Sequence, residues 1–150
     1  MCLDHNEPMN MIVREFVRFP VMNELRGFVH EKKLTALSQY NNLVHFPQHR
    51  HNKQVVEEAV RETMEEVIGA MEDTLESFIV DLVLDEAGRV WVVEVNPFGE
   101  MAGSCLFSWS LDREVLMGRK PFQFRIVEEE QTVGRLKAEL DKRVADILGI

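Results

Sequence analysis

The spacing of apolar and polar positions divides the chain into short alternating runs and two longer helical ones. Met11–Val17 reads as a strand closed by Phe19-Pro20. Asn23–His30 alternates as a strand, Glu31-Lys32-Lys33 turns, and Leu34–Tyr40 returns, which predicts a hairpin. A period of two places Glu24, Arg26, Phe28 and His30 on one face of it. Asn41–Asn52 is polar and reads as a loop. From Lys53 to about Leu75 the period lengthens, with Val55, Val56, Ala59, Val60, Met64, Val67, Ile68, Met71 and Leu75 at helical steps. The methionines belong to that core stripe, and Glu57, Glu58, Glu62, Glu65, Glu66 and Asp73 line the opposite, solvated face, which could also dock a basic partner.

Phe78–Leu84 and Arg89–Gly99 read as two strands about an Asp85–Gly88 turn, and both are apolar on both faces, which predicts a buried sheet. Ser110–Gly118 reads as a short helix with Leu111, Val115 and Leu116 inward, and Pro121–Val127 as a further strand. Beyond Glu128–Glu130, Thr132 caps a final helix with Val133, Leu136, Leu140, Val144, Ile147 and Leu148 on one side. The order predicts an α+β fold, a mainly antiparallel sheet packed against helices. Residues 1–10 read as a loosely attached start and 11–150 as a single domain.

Composition adds limits. A chain of 150 residues, 45% hydrophobic and 29% charged, is an ordinary globular mixture able to bury a core. A net charge of −9 argues against nucleic-acid binding, since no basic stripe displaces counterions from phosphate. It leaves room for a partner with a basic surface. Cys2 and Cys105 form no disulfide framework, the N-terminus has no signal-peptide pattern, and no apolar run could span a membrane. Cytoplasm is the expected compartment.

The chemistry concentrates in the acidic hairpin. Asp81 and Glu94 interrupt apolar strands, where an isolated carboxylate costs several kcal/mol unless paired or bound to a cation. A four-residue (or two-residue) turn puts Asp81, Glu94 and Asn96 on one face with Glu94 diagonal to Asp81; an odd-length loop would separate them. Three oxygen-bearing side chains there make a Mg²⁺ site. The alternative is two carboxylates held by a neighbouring Lys or Arg, but Arg89 beside the turn is the sole basic residue of these strands. Arg26 suits a phosphate, with Gly27 leaving room for close approach; the alternative is an exposed Glu24–Arg26 pair. His45, His49 and His51 fit no common zinc spacing. Leu106, Phe107 and Trp109 are expected to fold back onto the body; an exposed aromatic contact patch is the alternative.

Glu24-Leu-Arg-Gly-Phe-Val29, Leu37-Ser-Gln39, Glu94-Val-Asn-Pro-Phe-Gly99 and Leu106-Phe-Ser-Trp109 resemble the second half of an ATP-grasp domain, and within it the cell division cycle protein 123 family. The resemblance covers roughly residues 11–127. It implies ATP and Mg²⁺ as cofactors and a role as assembly chaperone for eukaryotic translation initiation factor 2, acting on its gamma subunit. It implies Asp81, Glu94 and Asn96 as metal–phosphate ligands and Arg26 as a phosphate contact. It also implies that Arg14, Glu15, Phe16 and Val17 form the strand beside the adenine, with backbone groups on the base edge. Three departures stand out. Glu94 replaces an Asp, Tyr40 stands where a basic residue is expected, and no lysine precedes Lys32. The last leads to the expectation of a partial domain without the first, lysine-bearing lobe. Two further readings stay open: an ATP-grasp carboxylate–amine ligase working through an acyl phosphate, and an interaction module that binds no nucleotide.

Overall fold

The computed structural model describes residues 11, 13, 16, 18–130, 134, 137, 138, 140, 141, 144 and 145. A five-stranded sheet organises them: β1 (Glu24–His30), β2 (Lys33–Gln39), β3 (Phe78–Leu84), β4 (Val90–Pro97) and β5 (Gln123–Arg125), in the order β4-β3-β1-β2-β5. β1 pairs antiparallel with β2 and β3, β3 pairs antiparallel with β4, and β5 joins β2 in parallel. The α+β expectation holds, with one parallel pair at the far edge. Helix α1 (Pro47–Met71) covers one face and the short α2 (Arg113–Leu116) lies on the other.

Two cores follow from the alternation of side chains. On the α1 face Leu25, Val29, Leu37, Phe78, Val80 and Leu82 pack with Val60 and Met64. On the opposite face Phe28, Ala36 and Ile79 meet Phe107, Val115 and Leu116, with Phe98 and Trp109 alongside. The second cover is partial. Among the described residues it stops short of Glu24 and Tyr40 at one end of that face, where Arg26 and Asp81 are nevertheless buried.

Several elements differ from the sequence reading. α1 begins at Pro47, six residues before the expected Lys53, because Pro at the first turn needs no N–H partner. It therefore takes in His49 and His51. The three histidines do not converge: His49 Nδ1 lies 3.1 Å from Gln39 Oε1 and His51 Nδ1 3.1 Å from the Pro47 carbonyl. Leu111 is exposed, not inward, because α2 starts only at Arg113 and buries Val115 and Leu116. Met11, Val13 and Phe16 are exposed and lie in no strand. The described residues of the final helix are helical, and Leu140 and Val144 there are about half exposed. The expectation for residues 1–10, and the rest of those for 11–17 and 132–148, lie outside the described residues.

The largest difference is β4. It was expected to be buried on both faces, yet Val92, Val93 and Val95 are each more than a third exposed and Trp91 is 47% exposed. Among the described residues it is an edge strand with β3 as its neighbour, and Val90 is the residue of it that packs against the α1-face core.

Candidate functional site

The register of the acidic hairpin brings the expected residues together by an unexpected route. Leu84 pairs with Val90, so the loop is the five residues 85–89. Asp85 staples it, accepting from the Ala87 and Arg89 N–H groups and from Trp91 Nε1. The Trp91 bond and those from Arg89 push its pKa down to about 2. Gly88, at φ 77°, supplies the left-handed residue that the loop needs.

Such an odd loop alone would turn Glu94 towards α1. A bulge restores it: Leu82 pairs with Val92 and Asp81 with Glu94, so the register shifts by one residue at Val93. Asp81 and Glu94 are thus directly opposite, not diagonal, and Asn96, opposite Ile79, shares their face. β1 completes the group, because Arg26 is the register partner of Asp81 on the other side.

Arg26 and Asp81 form a buried bidentate ion pair. Arg26 Nε donates to Asp81 Oδ1 at 2.7 Å and Nη2 to Oδ2 at 2.8 Å, and each side chain is 9% exposed. The paired carboxylate holds the guanidinium still more firmly protonated than usual. Sequence weighed an Arg26–Glu24 pair on an exposed face; Arg26 is buried and its carboxylate partner is Asp81. Arg26 Nη1 donates to the Gly103 carbonyl at 2.6 Å, and the Tyr40 ring lies 4.9 Å from the guanidinium carbon. Gly27 does not make room on this face. A Cβ there would point towards α1 and stand 3.0 Å from Val80 and 3.3 Å from Leu34, so the glycine serves close packing on the other side.

Glu94 is exposed, and Asn96 Nδ2 donates to Asp81 Oδ2 at 3.4 Å, so the amide oxygen of Asn96 is the atom that could ligate a cation. Glu24, at the edge of the same face, has its pKa raised by burial and then by the charge of Asp81. Of the other residues implied, Phe16 is exposed chain, and Arg14, Glu15 and Val17 lie outside the described residues.

The segment that follows β4 folds back as expected. Phe107 is 5% exposed, Trp109 stands edge-on to Phe28 and Phe98, and its Nε1 donates to the Ala102 carbonyl at 2.8 Å. Ser38 Oγ accepts from the Leu106 N–H at 3.1 Å, and Asn42 Nδ2 donates to the Cys105 carbonyl at 3.1 Å. Sequence reasoning missed the Gly103 carbonyl and the ring of Tyr40 as partners of Arg26. No side-chain pattern marks a backbone carbonyl, and Tyr40 had been read only as a lost cation. It missed the role of Gln39 too. That buried amide donates to the Asn41 and Val44 carbonyls and accepts from the Val127 N–H, tying the end of β2 to two loops.

The oxygens of Asp81, Glu94 and Asn96 suit a hard cation of the Mg²⁺ kind that keeps water and phosphate in its shell. Among the described residues no cluster of three His, Cys, Asp or Glu side chains could hold a metal by itself. Asp81 is already neutralised, so the donor set fits a cation that arrives with further ligands. No helix among the described residues is long and apolar enough to cross a membrane.

A sequence profile of the D123 family matches residues 3–146. The chain belongs to the D123 family. It is 28% identical over 106 residues to the translation initiation factor eIF2 assembly protein of Xenopus laevis, covering 71% of this chain and 31% of that one. The Danio rerio protein of the same name is 29% identical over 99 residues, 66% of this chain and 28% of its own. The D123 chain described here thus spans about a third of the length of these relatives. Among solved structures, C-terminally truncated Cdc123 from Schizosaccharomyces pombe superposes with a TM-score of 0.65 at 24% identity, over 77% of this chain and 44% of the other. That likeness establishes the fold.

Proposed function

We propose that this D123 chain binds ATP with Mg²⁺ on the open half of the sheet face and serves the assembly of eukaryotic translation initiation factor 2, by contact with its gamma subunit, in the cytoplasm. The reading rests on one observation: Arg26, Asp81, Glu94 and Asn96, drawn from three neighbouring strands, share one face, with Glu94 exposed at its rim. The names of the relatives supply the assembly role. Glu94 and Asn96, with the outward side of Asp81, would hold the cation, which would offset phosphate charge when bound. Arg26 would meet a phosphate through Nη1, the end of its guanidinium that is not bonded to Asp81.

Calorimetric titration with ATP, with and without Mg²⁺, tests the nucleotide part. Micromolar binding that needs Mg²⁺ and is lost on combining D81A with N96A is expected; no binding at millimolar ATP would refute it. Capture of the initiation factor by the purified chain, competed by its isolated gamma subunit, tests the partner. A second reading, an interaction module without nucleotide, is favoured by the closed Arg26–Asp81 pair. Initiation-factor capture with no ATP affinity would establish it.

A further inference from the structure

The residue expected to meet phosphate already holds two partners of its own. Arg26 has five N–H groups, and three are engaged: two with Asp81 and one with the Gly103 carbonyl. Tyr40 lies over its plane, and the side chain is 9% exposed. Asp81 sits on the interior strand β3, hydrogen-bonded on both sides, and cannot move without disturbing the sheet. Gly103 lies in the segment after β4, between exposed Met101 and Cys105, which itself has a positive φ of 53°. Of the two partners, the Gly103 carbonyl is the one that can leave.

We propose that Arg26 is a latch holding residues 99–105 against the sheet, and that an anion bound at the site releases it by taking Nη1 from the Gly103 carbonyl. This rests on the nucleotide reading and adds a consequence to it: occupancy of the site is passed to the neighbouring loop. A neutral carbonyl competes poorly with a phosphate oxygen for a guanidinium, because bonds between charged groups are roughly twice as strong. The span that would move is short. It is bounded by Phe98, packed against His30 and Trp109, and by Leu106, held through its N–H on Ser38. Between these anchors the loop has an internal bond from Ala102 N–H to the Gly99 carbonyl, and it is tied from outside by Trp109 Nε1 to the Ala102 carbonyl and by Asn42 Nδ2 to the Cys105 carbonyl. Loss of the latch loosens them without unfolding either core.

Hydrogen exchange of the 99–105 amides reads the latch directly. Saturating Mg·ATP is expected to speed their exchange roughly fivefold or more, the factor one net hydrogen bond is worth. Simple shielding by a ligand would slow it, so the sign is diagnostic. R26K, which keeps the charge opposite Asp81 and loses the planar fork, is expected to show the faster rate without nucleotide and no further rise with it. Calorimetry on the same samples separates the two claims. Binding with unchanged or slower loop exchange overturns the latch alone; absence of binding overturns the nucleotide reading and the latch with it. The wild-type comparison needs no variant, so the test stands even if R26K fails to fold.

Discussion

β3 and β4 are two strands of one hairpin with nearly the same apolar content, and they live in opposite environments. β3 has a strand on each side and cover on both faces; six of its seven residues are buried. Among the described residues β4 has one neighbour, and apart from Val90 and Asn96 it is exposed throughout. Hydrophobicity along a strand does not by itself set burial. Place in the sheet does, because an edge strand has a neighbour on one side and joins the α1-face core only through Val90. The difference also divides the candidate site: Asp81 belongs to the rigid interior and Glu94 to the accessible rim.

The largest effect should come from cutting into β3. Phe78 is fully buried, and F78A is expected to cost about 3–5 kcal/mol, lost burial plus the cavity left behind. V93A, on the exposed bulge of β4, should change stability by no more than about 0.5 kcal/mol. Urea unfolding of both measures the contrast, and equal losses would mean that β4 is covered in solution.

The two carboxylates sharpen it further. D81A strands a buried guanidinium and should destabilise by about 3–5 kcal/mol. E94A should cost no more than about 0.5 kcal/mol, yet remove Mg²⁺-dependent nucleotide binding as completely. Replacing the pair together, as R26M with D81L, should recover most of the stability while binding stays lost. A stable double variant that still bound Mg·ATP would move the site elsewhere.

How far the sequence revealed this arrangement depends on the range of the interactions involved. Strand alternation and the three-to-four spacing of α1 are local, and they were legible. The grouping of Asp81, Glu94 and Asn96 was legible for an incomplete reason: a four-residue turn was assumed, and a five-residue loop corrected by a bulge reaches the same face. Neither deviation has a residue signature in Val92-Val93-Glu94. The Arg26–Asp81 pair was hidden because it needs β1 beside β3, 55 positions apart in sequence, and only the strand order supplies that. The exposure of β4 was hidden for the same reason.

Gly27 and Gly103 flank the same guanidinium, one within the sheet and one in the loop, and they should respond differently. A Cβ at Gly27 meets Val80 at 3.0 Å and Leu34 at 3.3 Å, so G27A should cost about 1–3 kcal/mol through overpacking between two strands and α1. At Gly103 the nearest atom is Arg26 Nη1 at 3.5 Å, an ordinary contact, and G103A should leave the melting temperature almost unchanged. Comparable losses at both would show that the loop is packed as tightly as the sheet.

The smallest expected effect belongs to Glu24, where the buried and open parts of the face meet. Burial, and then the charge of Asp81, raise its pKa in the folded state above the ordinary 4.5. The folded protein therefore binds more protons than the unfolded chain in the window just above that value. Stability from this group is present below about pH 4.5 and is lost as the pH rises through the folded pKa. Asp112 has the opposite sign: burial alone would raise its pKa, but bonds from Arg125 and the Ser108 N–H outweigh it and hold the carboxyl low. Asp112 thus adds stability above its unfolded pKa, lost as the pH falls through the folded one. Comparison of wild type with E24Q cancels that contribution. The variant should be slightly the more stable at pH 7, with the difference vanishing below pH 4.5. An E24Q protein less stable than wild type at pH 7 would mean that the carboxylate is held by a cation on this face, and that the open half of the sheet is more positive than its residues indicate.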